Sequence, residues 1–379
     1  MEEAKLFLAF PVFVISMVCV IIYVVYDLCL KPKFLRAKLI EQGIDGPKPT
    51  LIMGNMPDIR QIKSKELSMD EAVWENFLFC TGKDTIVYIG DGELVREMSL
   101  CKSLNLGKPS YMHKERGPLL GRGLLTTSKE VWVHQRKTIA PTLYVDKNMF
   151  SIVLESGNTL VKSWEHLVDT EDGIADMRVD DYVKTFTSSI ISNVMFGKYE
   201  AAEKLLFSRC RDLMEVSGSP TVLDGYPFNR SEGESIIQTL VDGAKHGELG
   251  SSTPHQFIVD NCKELCIVGM EVPGITAIWG VGFTAREALA DVQIGNKVCV
   301  PKGVNIWIWQ AALHRDPQLW GSDALKFNPD RFANGISGAC KIPQAYTPFG
   351  LGPRTCPGMN LGMMELKVIF PKVSTCSTV

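Results

Sequence analysis

At 379 residues, with 45% hydrophobic and 22% charged residues, the chain can bury a substantial core, which excludes disorder for most of it. Lys and Arg number 40 against 43 Asp and Glu, a net charge of -3, so no basic field argues for a nucleic-acid partner. The 11 cysteines, an odd number without paired spacing, point to a reducing compartment rather than a disulfide framework.

In chain order, residues 6–26 (LFLAFPVFVISMVCVIIYVVY) carry no formal charge and, at about 1.5 Å per residue in a helix, are long enough to cross the hydrocarbon layer. No small-residue cleavage site follows, which favours an anchor over a cleaved signal. Lys31, Lys33, Arg36 and Lys38 follow the span, so the positive-inside bias predicts that the remainder faces the cytosol. Pro47 and Pro49 bar helix continuation in the next segment, which reads as a semi-rigid hinge.

Beyond residue 70 helical periodicity dominates, notably over residues 149–167 and 183–196. Residues 85–89 (TIVYI) and 298–300 read as strands of small sheets. Residues 217–252, rich in Gly, Ser and acidic side chains, read as a loop-rich surface segment. The expected fold is therefore mainly α with a minor β-sheet. Cys262 and Cys266 share a helix face without partners for a zinc site and read as core; Gly117, Gly121 and Gly123 lack the spacing of a dinucleotide loop.

The most informative stretch is Pro348-Phe349-Gly350-Leu351-Gly352-Pro353-Arg354-Thr355-Cys356-Pro357-Gly358, which leads into an amphipathic helix candidate over residues 359–368. Its glycines and prolines make a stiff turn whose backbone N–H groups can converge on the Cys356 sulfur. A cysteine ahead of a helix N-terminus is favoured as thiolate. Arg354 can meet an anion such as a carboxylate, and Phe349 offers an apolar plate beside the sulfur. Such an ensemble suits a thiolate that binds a metal away from water.

Phe-x-x-Gly-x-Arg-x-Cys-x-Gly, satisfied from Phe349 to Gly358, resembles the haem-binding loop of the cytochrome P450 family. Residues 327–332 (FNPDRF), with His314 to Trp320 upstream, are similar to its Pro/Arg meander, and Trp132 with Arg136 to the Trp-x-x-x-Arg that reaches the haem propionates. Residues 42–47 (QGIDGP) and 54–57 (GNMP) resemble the plant branch that includes gibberellin and cytokinin hydroxylases. The resemblance implies a cytochrome P450-like fold, incomplete, behind a transmembrane helix: residues 1–30 as anchor, 31–56 as hinge and 57–379 as a partial haem-thiolate monooxygenase domain.

It further implies haem b with Cys356 as axial ligand, and Phe349, Arg354, Trp132 and Arg136 as cofactor-binding residues. NADPH would supply electrons through an NADPH-cytochrome P450 reductase, the substrate would be an apolar small molecule such as a terpenoid hormone, and the location would be the endoplasmic reticulum membrane, spanned once, with the catalytic domain cytosolic.

The chain also departs from the family pattern. Where an acid followed by Thr is expected on the oxygen-activating helix, it reads Glu271-Val272-Pro273, which keeps the catalytic acid Glu271 and loses the hydroxyl. No Glu-x-x-Arg lies between Glu271 and Cys356, and the chain stops soon after Lys367; Glu93 and Arg96 have the spacing but read as a solvated surface pair. Arg331 of the meander is thereby expected to lose its ionic partner. A second reading follows: a truncated or mis-spliced, catalytically inactive remnant, at most a membrane-anchored interaction protein.

Overall fold

The structure is a computed structural model that describes residues 2–50, 53–58, 76–112, 117, 120–170, 175–196, 236–245, 247–279 and 283–376. The chain divides into two compact units, Met1–Leu106 with Phe283–Thr347 and Leu351–Pro353, and Gly107–Gly282 with Pro348–Gly350 and Arg354–Val379.

The first unit opens with α1 (Glu2–Val25), whose side chains from Pro11 to Val25 are all exposed. A π-helical turn at Tyr26–Leu30 joins it to α2 (Lys31–Ile40), which turns Leu35 and Leu39 into the core one helical turn apart. The run through α2 is the one helix among the described residues long and apolar enough to cross a membrane. After α2, Gln42 acts as a surrogate peptide group: its Nε2 donates to the Cys299 carbonyl at 3.0 Å and its Oε1 accepts from the Cys299 N–H at 2.7 Å.

Strands β1 (Phe77–Thr81) and β2 (Asp84–Tyr88) form a hairpin whose turn needs Gly82 at a φ of 60°. Next come α3 (Gly92–Leu100), capped by Asp91 Oδ1 accepting from the Glu93 N–H at 2.9 Å, and the short β3 (Leu106–Gly107). Later strands are β4 (Phe283–Ala288), the paired β5 (Val292–Ile294) and β6 (Val298–Val300), and β7 (Asn305–Trp309). The large sheet runs β1-β2-β7-β4-β3, with β7 parallel to β2 and antiparallel to β4.

Period-two alternation splits the strand residues between two apolar clusters. Leu78, Val87, Ile306 and Ile308 join the main core, whereas Phe79, Ile86 and Tyr88 pack with Trp307 and Trp309. Each fully buried Ile or Leu contributes about 1.5–3 kcal/mol by leaving water. Arg286 on β4 is buried with them; it donates to the Ala285 carbonyl at 2.9 Å, and burial lowers its pKa to about 10.

Arg331 of the meander is not stranded. Its guanidinium donates to the carbonyls of Trp320 (3.1 Å), Asp323 (2.8 Å) and Asn328 (3.3 Å) and pairs with the Asp323 carboxylate at 3.1 Å. The expected loss of its ionic partner is thus corrected: short-range carbonyls replace a distant carboxylate, because the turn at Pro329–Phe332 folds back on the chain just before it. Glu93 and Arg96 form a half-exposed pair at 3.1 Å, as the spacing implied.

The second unit is helical: α4 (Lys129–Ile139), α5 (Lys147–Thr170), α6 (Val179–Phe196), α7 (Ile236–Lys245), α8 (Pro254–Trp279) and α9 (Met359–Cys376). Asp146 Oδ1 accepts from the Met149 N–H at 2.7 Å to start α5, whose Met149, Val153, Leu160 and Trp164 form one apolar stripe. It packs with Val183, Phe186, Ile190 and Val194 of α6. Gly269 lets α8 approach α6 closely, since a Cβ there would lie 2.5 Å from Ile191 Cδ1.

One expectation is corrected here. Part of the segment read as surface loop, residues 217–252, is the helix α7, which buries Ile236, Leu240 and Ala244; residues 217–235 of it lie outside the described residues. The apolar spacing of IIQTLVDGAK carries the helical period, and the surrounding Gly and Ser obscured it. Cys262 and Cys266 are buried in the core, where burial pushes the Cys262 thiol up to about 12, and no cysteine among the described residues forms a disulfide.

Candidate functional site

Between the short turn at Gly352–Arg354 and the start of α9, the loop closes on itself: the Cys356 N–H donates to the Phe349 carbonyl at 2.8 Å. Gly350 has a φ of 79°, a conformation that a residue with a Cβ adopts only at a cost. The Phe349 ring lies against α9, close enough that a Cβ at Gly362 would stand 3.4 Å from its Cε1.

Burial raises the pKa of the Cys356 thiol, against the downward pull of the Gly358 N–H, which donates to the sulfur, and of the nearby Arg136 guanidinium. The thiolate preference expected from helix position is therefore corrected for the protein alone, where desolvation outweighs those two effects. A coordinated metal reverses the balance, because it deprotonates a ligating thiol outright.

Helix α4 faces this loop with Trp132 and, one turn later, Arg136. Two crossed hydrogen bonds join loop and helix. Arg136 Nη1 donates to the Thr355 carbonyl, and Arg354 Nη1 donates to the carbonyl of Thr127, just ahead of α4, at 3.0 Å. Both guanidiniums lie over the buried Trp132 indole, at 4.3 Å for Arg354 and 5.9 Å for Arg136. Desolvation lowers the Arg136 pKa, and no carboxylate among the described residues pairs with it. Five of the predicted residues, Phe349, Arg354, Cys356, Trp132 and Arg136, thus come together. Glu271 lies on α8, with its side chain outside the described residues.

The donor set holds one sulfur with an amide N–H aimed at it and two cations stacked on an indole. No group of three or more His, Cys, Asp or Glu side chains that could hold a metal ion occurs among the described residues. A metal that takes a single protein ligand and carries its own planar chelate with carboxylates fits this set, and an iron porphyrin is such a group.

The family model described as Cytochrome P450 matches residues 44–224 and 280–373. This chain belongs to the cytochrome P450 family. Cytochrome P450 714C2 of Oryza sativa subsp. japonica is 34% identical, over 92% of this chain and 88% of that protein. Cytochrome P450 714B3 of Zea mays is 27% identical over 92% and 86%, and cytochrome P450 714A2 of Arabidopsis thaliana 29% identical over 88% and 86%. The first alignment runs over 461 positions, more than the 379 residues of this P450, so the relative has internal stretches that this chain lacks. Membership makes the chain a haem-dependent monooxygenase by kind.

Three buried groups escaped the sequence reading. Asp260, Asn261 and Glu264 of α8 accept the N–H groups of Arg122, Leu124 and Leu125 at 2.8, 3.1 and 2.6 Å. Arg286 is the second. The signal for both was polar side chains inside apolar runs. Glu365 of α9 is the third: it is buried, its Oε2 has no hydrogen-bond partner, and burial pushes its pKa up to about 8.

Because the folded pKa of Glu365 lies above the unfolded carboxylate value, the folded state binds its proton more tightly. Its stability contribution is fully present below about pH 4.5 and is lost as pH rises through about 8. Glu365→Gln is accordingly expected to stabilise this P450 by about 3 kcal/mol more at pH 9 than at pH 6. Thermal unfolding at the two pH values measures this, and an equal effect at both would refute it.

Proposed function

We propose that this P450 is an anchored enzyme of the endoplasmic reticulum membrane that hydroxylates an apolar small molecule of the terpenoid-hormone type, such as a gibberellin. NADPH supplies its electrons through an NADPH-cytochrome P450 reductase at the cytosolic face. One observation carries the reading: a single half-buried sulfur with the Gly358 N–H upon it, flanked by two arginines on the Trp132 indole.

In this reading Cys356 would supply the protein's sulfur ligand to haem b. Arg136 and Arg354 would hold its propionates by guanidinium–carboxylate pairing, Trp132 would support both guanidiniums with its indole, and Phe349 would keep water from the sulfur. When bound, the haem supplies activation of dioxygen and transfer of one oxygen atom to an unactivated C–H bond. The Gly358 N–H disperses charge on the sulfur and so tunes its donor strength. Glu271 of α8 would take and pass protons, with Val272 standing where the family pattern has a hydroxyl to share that work.

The remnant reading keeps one specific support, the absence of Glu-x-x-Arg between Glu271 and Cys356. The two are separated by expressing the full chain with a reductase in microsomes and following NADPH use and product from a panel of gibberellins. A hydroxylated product with coupled NADPH consumption excludes the remnant. Protein that takes up haem yet yields no product from any member defeats the gibberellin assignment, and protein that takes up no haem defeats the enzymatic one.

A further inference from the structure

Three buried polar side chains of α8 hold one loop by its backbone. Asp260, Asn261 and Glu264 project from one face of the helix at i, i+1 and i+4, so three neighbouring side chains can meet one segment of chain. That segment is the loop over residues 121–127. Asp260 Oδ2 accepts from the Arg122 N–H, Asn261 Oδ1 from the Leu124 N–H, and Glu264 Oε2 from the Leu125 N–H. Glu264 Oε1 also accepts from the Thr126 hydroxyl at 3.4 Å.

All three side chains are buried, and the loop has been shaped around them. A Cβ at Gly121, whose φ is 68°, would lie 2.0 Å from Asp260 Oδ1, and one at Gly123 would lie 2.5 Å from the Glu264 Cδ. The same loop ends at Thr127, whose carbonyl receives Arg354, and it is tied to α4 by Gln135 Nε2 donating to the Arg122 carbonyl at 2.8 Å. A continuous path of hydrogen bonds therefore runs from α8 through the loop backbone to the Arg354 guanidinium.

We propose that Asp260, Asn261 and Glu264 are positioning residues for Arg354: by holding the loop N–H groups they fix the Thr127 carbonyl, and through it the arginine offered to a haem propionate. This rests on the haem-thiolate reading above. Neither carboxylate needs to touch the cofactor; their effect is to keep Arg354 preorganised over Trp132, so that binding does not have to order it.

The test is a double-mutant cycle on the full chain, read as the rate of haem transfer to excess apomyoglobin. Glu264→Leu is expected to speed haem loss about ten-fold in the wild-type background and less than about two-fold when Arg354 is already Ala. Glu264→Gln, which keeps an acceptor oxygen for the Leu125 N–H, is expected to stay within about three-fold of wild type. A merely structural residue would have the same effect in both backgrounds, and that result would overturn the proposal. If Glu264→Leu does not fold, Asp260→Ala, which removes the acceptor for the Arg122 N–H, enters the same cycle with the same criterion. Wild-type chain that binds no hemin overturns the haem reading together with this inference, whereas hemin binding with an additive cycle overturns this inference alone.

Discussion

Cys356→Ser is expected to abolish the red-shifted Soret absorption of the reduced, carbon-monoxide-treated protein and to lower hydroxylation by at least about a thousand-fold. A serine hydroxyl is a hard, neutral donor that does not ionise at working pH, so it cannot supply the electron-rich ligand that a thiolate does. The substitution removes little else: the residue's main-chain bond to the Phe349 carbonyl is unaffected, and the crossed contacts of Arg136 and Arg354 involve the Thr355 and Thr127 carbonyls. Hemin is therefore expected still to associate, more weakly, through the two arginines. A difference spectrum and a hemin titration on the same sample separate ligand loss from cofactor loss. An unshifted wild-type spectrum, or a red-shifted band that persists in Cys356→Ser, would show that the axial sulfur has been misassigned.

The second large effect is expected at Arg331, whose side chain is only 12% exposed. Arg331→Leu leaves the carbonyls of Trp320, Asp323 and Asn328 without their shared donor and is expected to cost about 3–5 kcal/mol. Arg331→Lys keeps the charge but not the planar fork, so it should fall between the two. Asp323→Asn is expected to cost far less than Arg331→Leu, because the Asp323 side chain is 40% exposed and water replaces it readily. Urea unfolding followed by far-ultraviolet circular dichroism orders the four proteins. If Asp323→Asn were as damaging as Arg331→Leu, the ion pair rather than the carbonyls would hold the turn.

These two sites mark the limits of what a linear reading delivers. Cys356 and its loop are local: glycines, prolines, arginine and sulfur lie within ten positions, so their chemistry can be read off consecutive residues. Trp132 and Arg136 are legible for the same reason, since a spacing of four places them on one helix face. The strands at Asp84–Tyr88 and Val298–Val300 and the helices α5 and α6 follow from apolar period alone. Helix α7 does not, because ten residues amid Gly and Ser give too short a pattern to stand out.

Arg331 and Glu264 show the opposite case. Nothing in the order of residues says that a guanidinium lacking its expected carboxylate will find four carbonyls, or that a carboxylate of α8 will take the N–H of Leu125, 139 residues earlier. Whether a polar group is satisfied depends on which backbone atoms the folded chain brings within about 3 Å of it. What the order of amino acids settled here was the kind of chemistry, the helical class and one N-terminal helix long and apolar enough to cross a membrane, all of which reside in short-range pattern and composition. Where Arg354 points, how far the Cys356 sulfur is stripped of water, and which buried charges are answered came from packing, because desolvation and hydrogen-bond pairing exist only once distant segments exclude water together.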